Sequence, residues 1–438
     1  MSYSGETNTE CPLTPLDSAR FIMERARHVS INLPSLQKLA TTISSAMMDG
    51  ECTTEDWIGS DVGPPTGDST SMIDWIFLTS TLNFSFWTND KEKGSYCRKY
   101  KDKLYHGYEA MCVAINQAIY DGIDMLNAEY YSRITMNDLE NIFRPLDNSP
   151  PLPMLNERLK VLHETGSILL QEYRGHFIHC IEQNGGNAID LVELIVKTFP
   201  AYRDESVYDG QRVSFYKRAQ ILVSDIWGCF NGHGIGHFID MDRLTMFADY
   251  RVPQVLAHEG VLVYSSELKK RLERKEEITF GDSDECEIRA ASILAVHLIA
   301  NHVNEKSPLE KDTGDFGERL NEPLVDVYLW RKRRQQAQIY EQTPFHRAPI
   351  RRRIRVWDWS TWDNQCYLLN DRNNQSMLYY DLYGLGGFGG LFDLYDIVVY
   401  VVLVVLVVYL IYMILWSMWS WWFWWFWWSW WFWWSCGL

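Results

Sequence analysis

Between Ser214 and His258 the chain gathers charged residues in apolar company: SFYKRAQILVSDIWGCF, a Gly-rich insert, then LTMFADYRVPQVLAH. Tyr216, Lys217, Arg218, Asp225, Asp249 and Arg251 sit there among large hydrophobic side chains. Burying such groups is costly unless they are paired or used. Asp249 lies four residues before Pro253, and Pro253 reads as the first position of a helix running to His258. A carboxylate just ahead of a helix N-terminus feels the positive end of the dipole and stays ionised. Such a group suits a reaction in which positive charge develops opposite it, and it can also orient or deprotonate an attacking water. The plainer alternative is an Asp that caps the helix or pairs with Arg251.

Several of these segments carry a resemblance. FYKRAQILVSDIW, TMFADYRVPQVLAH, FGDSDECEIRAA and TSTLNFSFW resemble the signature segments of the queuosine salvage family, the queuosine 5'-phosphate N-glycosidases. YHGYEAMCVAINQAIYDGI, LVELIVKTFPAYRDE, VDVYLW and TPFHR match in the same order, so the similarity runs from about Ser18 to Arg347. The resemblance implies a hydrolase that releases the base queuine from queuosine 5'-monophosphate, with a fold similar to the helical DNA glycosylases. It also implies no metal and no organic cofactor. Under it Asp249 is the catalytic group, facing the oxocarbenium ion as the N-glycosidic bond breaks. A 7-deazaguanine offers carbon where a purine offers N7, so leaving-group assistance must act elsewhere on the base and much of the burden falls on Asp249.

The remaining candidates each have a bland counterpart. Phe247, Asn83, Phe84 and Trp87 can wall a base by stacking, or belong to an ordinary core. Lys217 and Arg218 are candidates for a 5'-phosphate, Lys as a point charge and Arg as a fork, against surface or salt-bridge roles. Arg251 joins them as a substrate-side cation. Asp282 with Glu285 reads as a capping box opening a helix whose apolar face is Ile288, Ser292, Ala295 and Ile299, with a second role in the pocket possible. Asp326 in VDVYLW is a candidate acceptor for a base edge. Cys229, His233, His237 and Asp240 have spacings that invite zinc, but NGHGIGHF is too Gly-rich to hold ligands on a helix, so no metal site is expected. RKRR at 331–334 and RRR at 351–353 resemble nuclear signals, yet solvated basic patches are commoner. Two departures from the family pattern stand out: Asp61 near where a His is usual, and RKRRQQ following VDVYLW where an acid is more typical.

Composition narrows the partners. The 438 residues carry 57 acidic against 41 basic side chains, a formal charge of −16. That surface repels polyanions, so direct nucleic-acid binding is not expected, while a local cation cluster can still hold a nucleotide. Nine scattered cysteines without a CxxC pair, and no signal peptide, fit reduced thiols in the cytoplasm, with the basic runs leaving the nucleus open.

The end of the chain is different in kind. Ile397 to Trp416 is a run of 20 uncharged, mostly apolar residues, long enough to span a bilayer. Residues 416–434 then hold 12 of the chain's 20 Trp. A membrane anchor with an aromatic belt is one reading. Translated low-complexity sequence after Arg347 explains the Trp density better, so the membrane is a partner only if the tail is genuine.

Positioning the candidate residues requires helices. Periodicity predicts them over Leu16–Met48 (with Asp17 as cap), Gly107–Asp121, Asn137–Phe143, Leu155–Tyr173, Ala188–Phe199, Phe215–Phe230, Pro253–His258, Ser266–Lys275, Ser283–His302 and Leu320–Glu341. MIDWIFLTSTLNFSFW is helix or strand on periodicity alone. Residues 53–71 and 304–318 read as loops. The expected architecture is mainly α: a loose segment 1–15, one multi-helical domain over 16–348, a linker over 349–396 and the Trp-rich tail 397–438. Two rival functions stay open, an N-glycosidase for another modified nucleoside and a non-catalytic, tail-anchored nucleotide-binding protein.

Overall fold

Helices do form where the apolar periodicity places them, and their ends are set by short polar caps. The computed structural model describes residues 11–54, 62–65, 67–88, 94–306 and 320–349. The expectations for Asp61, for most of the 304–318 loop, for Arg351–Arg353 and for the linker and tail from residue 350 lie outside the described residues. Among the described residues no helix is long and apolar enough to cross a membrane.

The architecture is mainly α, with three two-stranded antiparallel ribbons. The predicted Leu16–Met48 element is two helices, Pro15–Met23 and Leu33–Met48, separated by a short strand Val29–Ile31 that pairs with Leu262–Tyr264. Its cap is Thr14 rather than Asp17. The Thr14 hydroxyl accepts from the Asp17 N–H, so Asp17 occupies the first turn. The ribbon Glu205–Tyr208 with Gln211–Ser214 turns through Asp209-Gly210, both at positive φ. That dipeptide is a strong hairpin signal.

The ambiguous apolar run resolves as the helix Ser69–Thr81, capped by Asp68, followed by an irregular stretch to Trp87. Nine consecutive residues, Ile73 to Thr81, are buried. A helix buried all round carries no amphipathic period, which is why periodicity could not assign it. Phe77 stacks on Phe177 at 4.6 Å between ring centroids and meets Phe199 at 5.1 Å. The 24-residue helix Ser283–Lys306 runs through the core and packs on Pro15–Met23 and Leu33–Met48. Its predicted face of Ile288, Ser292, Ala295 and Ile299 is fully buried, and Ala291, Ile293 and Val296 on the other sides are buried too.

Candidate active site

The cleft is built where the end of the Ser69–Thr81 helix meets the start of the Lys217–Cys229 helix. A helix end leaves carbonyls without partners and concentrates negative potential there. Three cations answer that potential. Arg218 donates to the Thr81 carbonyl at 2.7 Å, Arg158 to those of Leu82, Phe84 and Ser85, and the Lys217 ammonium to that of Asn83 at 3.2 Å. Five successive carbonyls are thereby pinned, and the Asn83–Phe84 wall is held by side chains from two other helices. Arg158 is fully buried, and desolvation, with Arg218 close by, pulls its guanidinium down to about 9, so it remains a cation at neutral pH. The sequence reading missed Arg158. An Arg in the first turn of an amphipathic helix gives no signal of burial.

That wall lines a cleft of about 1420 Å3 together with Trp87, Lys217, Phe247, Asp249, Arg251 and Asp326. The volume exceeds the range typical of small-molecule sites. Phe84 and Phe247 are buried flat surfaces in its lining, and the Trp87 indole N–H is buried without an acceptor among the described residues.

Asp249 occupies the position its sequence context suggested, with both readings realised at once. One carboxylate oxygen, Oδ1, accepts the backbone N–H of Arg251 at 2.7 Å and of Val252 at 3.0 Å, closing the N-terminus of the helix Val252–His258. Oδ2 meets no donor among the described residues. The Arg251 side chain does not pair with it. Its guanidinium bonds Gln254 and stacks on Tyr250 and Phe345.

Lys217 and Asp326 complete a charged group around Asp249. Tyr216 holds a left-handed backbone (φ 47°) ahead of the Lys217 helix, a conformation a bulky residue adopts only when its surroundings enforce it. The Lys217 N–H is fixed by Asp204, and its ammonium also reaches Asn83 Oδ1 at 3.3 Å. Desolvation lowers the ammonium to about 8, opposed by the negative charge of Asp249 and reinforced by Arg218. Asp326, only 5% exposed, accepts the Phe247 N–H at 2.9 Å. Desolvation, with Asp249 nearby, pushes its carboxyl well above the usual range. A shift in this direction favours the protonated carboxyl, which can donate a hydrogen bond.

Arg218 and Asp282 stand apart from this group. Arg218 is spent on the carbonyls of Thr81 and Ala201 and lines a side chamber of about 70 Å3 instead of the main cleft. Lys217 lines both cavities, while Arg218, about 100° further round the helix, lines only the side chamber. Asp282 lines neither cavity. It pairs with Arg271 at 3.2 Å and accepts the Asp284 N–H. The expected capping box is displaced by one residue, since Glu285 reaches back to the Gly281 N–H. Asp240, from the zinc-like pattern, accepts the N–H groups of Ala188 and Ile189, and among the described residues no three ligand-type side chains cluster to hold a metal.

The side chamber brings Asp204, Glu285, Arg289 and His346 up behind Asp249. Burial raises Asp204 and Glu285 alike. Arg289, bonded to both, draws Asp204 below its ordinary value and leaves Glu285 above it. His346 is 4% exposed, and desolvation, with Arg289 and Arg347 adding repulsion, lowers its ring to about 3. The unfolded chain therefore takes up this proton first as pH falls through about 6.5. The neutral ring's contribution to stability is complete above that value and is lost as pH drops toward 3. His346→Asn should accordingly lose less stability than the native chain between pH 7 and pH 5. Urea unfolding midpoints at the two pH values check this, and equal losses would contradict it.

Comparison with known proteins agrees with the resemblance of the signature segments. Residues 64–350 match the family described as Queuosine salvage protein. A mouse protein named Queuosine 5'-phosphate N-glycosylase/hydrolase is 40% identical over 337 residues, covering 77% of this chain and 98% of the relative. Proteins of the same name from Schizosaccharomyces pombe and Sphaerobacter thermophilus are 35% and 34% identical, each over 72% of this chain and 90% of their own length. With Asp249, Lys217, Asp326 and the aromatic walls all inside the matched region, the chain belongs to the queuosine salvage protein family.

Proposed function

We propose that the protein hydrolyses the N-glycosidic bond of queuosine 5'-monophosphate, releasing queuine and ribose 5-phosphate. The observation that carries this reading is the state of Asp249. One oxygen is locked by two backbone N–H groups and the other is unengaged by the described residues, in a cleft walled by Phe84, Trp87 and Phe247. In the reaction the C–N bond breaks toward an oxocarbenium ion, which the Asp249 carboxylate stabilises from one side. Water adds to the anomeric carbon, giving up a proton to Asp249, and the base leaves with a proton. Asp326, whose carboxyl burial and Asp249 push upward, donates in this reading to the edge of the departing base, a change from the acceptor role expected from sequence. Phe247, whose N–H anchors Asp326, supplies a stacking face together with Phe84, and Asn83 a polar edge presented by Lys217.

The acidic surface supports a free nucleotide as substrate over tRNA. The six buried cysteines among the described residues, Cys52, Cys97, Cys112, Cys180, Cys229 and Cys286, are free thiols, which supports a reducing compartment such as the cytoplasm. Incubating the full chain, and residues 1–348 alone, with queuosine 5'-monophosphate should yield free queuine by mass spectrometry. EDTA should leave the rate unchanged. No free base from either protein would refute the reading, and a large EDTA effect would return His233 and His237 to consideration.

A further inference from the structure

The stretch that carries Phe247 and Asp249 into the cleft, Leu244 to Asp249, is neither helix nor strand. Within it Thr245, Met246, Phe247 and Ala248 are at most 5% exposed. Buried backbone outside a helix or sheet must find its hydrogen bonds elsewhere. Here side chains from flanking helices supply them, one group at a time. Gln220 Oε1 accepts the Thr245 N–H at 2.8 Å, Glu322 Oε2 that of Met246 at 3.2 Å, and Asp326 that of Phe247 at 2.9 Å. The Arg289 Nε–H donates to the Ala248 carbonyl at 2.9 Å. These anchors are themselves fixed. The Gln220 amide donates to the Phe215 carbonyl and to the Thr245 hydroxyl, which sets the direction of its oxygen. Glu322 Oε1 faces His297 Nδ1 at 2.7 Å. Glu322 and Asp326, four positions apart, share one face of the helix Glu322–Gln335. The far end of that helix is tied through Arg333 to Glu341 and through Arg334 to Glu109, so these two cations of the run after VDVYLW are paired instead of solvated.

We infer that Gln220 and Glu322 are positioning residues for the hydrolysis, holding Phe247 and the Asp249 carboxylate in register with the reacting carbon. Neither lines the main cleft or the side chamber, so they act through the segment they hold and not on the nucleotide. Phe247 and Asp249 line the cleft, while Met246 before them and Ala248 between them do not. A shift of the segment by one residue would exchange these sets. Three side chains, each matched to one N–H, admit a single register, which pairing with a neighbouring strand does not by itself guarantee. Downstream, Asp249 is already fixed by the N–H groups of Arg251 and Val252, and the anchors at Thr245 and Met246 complete the hold from upstream. Misplacing a reacting group by about 1 Å costs on the order of 100-fold in rate. This inference rests on the hydrolase reading above and adds the residues that aim its carboxylate.

The test measures turnover of queuosine 5'-monophosphate by the full chain and by its Glu322→Leu, Glu322→Gln and Gln220→Met variants. Glu322→Leu should lower kcat per folded molecule about 10- to 100-fold, with a smaller change in KM. Glu322→Gln keeps an oxygen for the Met246 N–H and should recover most of the loss. In an Asp249→Asn background Glu322→Leu should cost no more than about 3-fold, because the charge it aims is already gone. A merely structural role predicts lower stability with native turnover per folded molecule, or the same loss in both backgrounds. Gln220→Met removes the neighbouring anchor from the other helix and, in the same two backgrounds, gives the same reading if Glu322→Leu fails to fold. Native turnover in folded Glu322→Leu or Gln220→Met, or equal losses in the two backgrounds, overturns the positioning role. No hydrolysis by the native chain instead refutes the hydrolase reading itself.

Discussion

Asp249→Asn is expected to reduce kcat on the order of 100-fold or more while leaving nucleotide affinity intact or slightly improved. The geometry makes this substitution a clean probe. Asparagine keeps an Oδ1 that accepts the Arg251 and Val252 N–H groups, so the Val252–His258 helix retains its cap. Only the charge opposite the developing cation is lost. Asp249→Ala would mix that loss with the loss of the cap. The charge of Asp249 also holds the Asp326 carboxyl up and the Lys217 ammonium charged. Its removal should therefore lower the pKa of both groups, and the pH profile of the residual activity should move to lower pH. Turnover and affinity measured together decide the matter. Near-native turnover in a folded Asp249→Asn protein would sink the mechanism.

Arg158→Met should be the most destabilising single substitution in the site's framework, at about 4 kcal/mol. The estimate follows from the carbonyls of Leu82, Phe84 and Ser85, which would be left buried without donors at roughly 1–3 kcal/mol each, less whatever relaxation or water recovers. Arg158→Lys should not rescue it, since one ammonium cannot serve carbonyls spread along the wall while also reaching Pro153. Loosening that wall displaces Asn83 and Phe84, so activity should fall before the protein unfolds. Chemical denaturation at neutral pH gives the stability change. A loss below about 1 kcal/mol would show that the carbonyls find other partners.

Local sequence determined many of the helices, because segments such as Leu155–Glu172 and Ala188–Thr198 each present one apolar face at helical spacing. It also determined the place of Asp249, since a Pro-initiated helix three residues on dictates where a capping carboxylate must stand. Signature segments carried the family, and with it eight of the ten candidate residues that the fold brings into one cleft. Tertiary structure alone decided what those residues do there. Whether Lys217 or Arg218 faced the main cleft depended on the rotation of one helix against the end of another. Asp326 became a buried carboxyl with a raised proton affinity only because its helix approaches the Phe247 backbone, 79 positions away in sequence. Arg158, Arg333 and Arg347 read as ordinary surface cations until desolvation is known. Burial and long-range charge contacts set a group's proton affinity, and neither is written in the spacing of the residues around it.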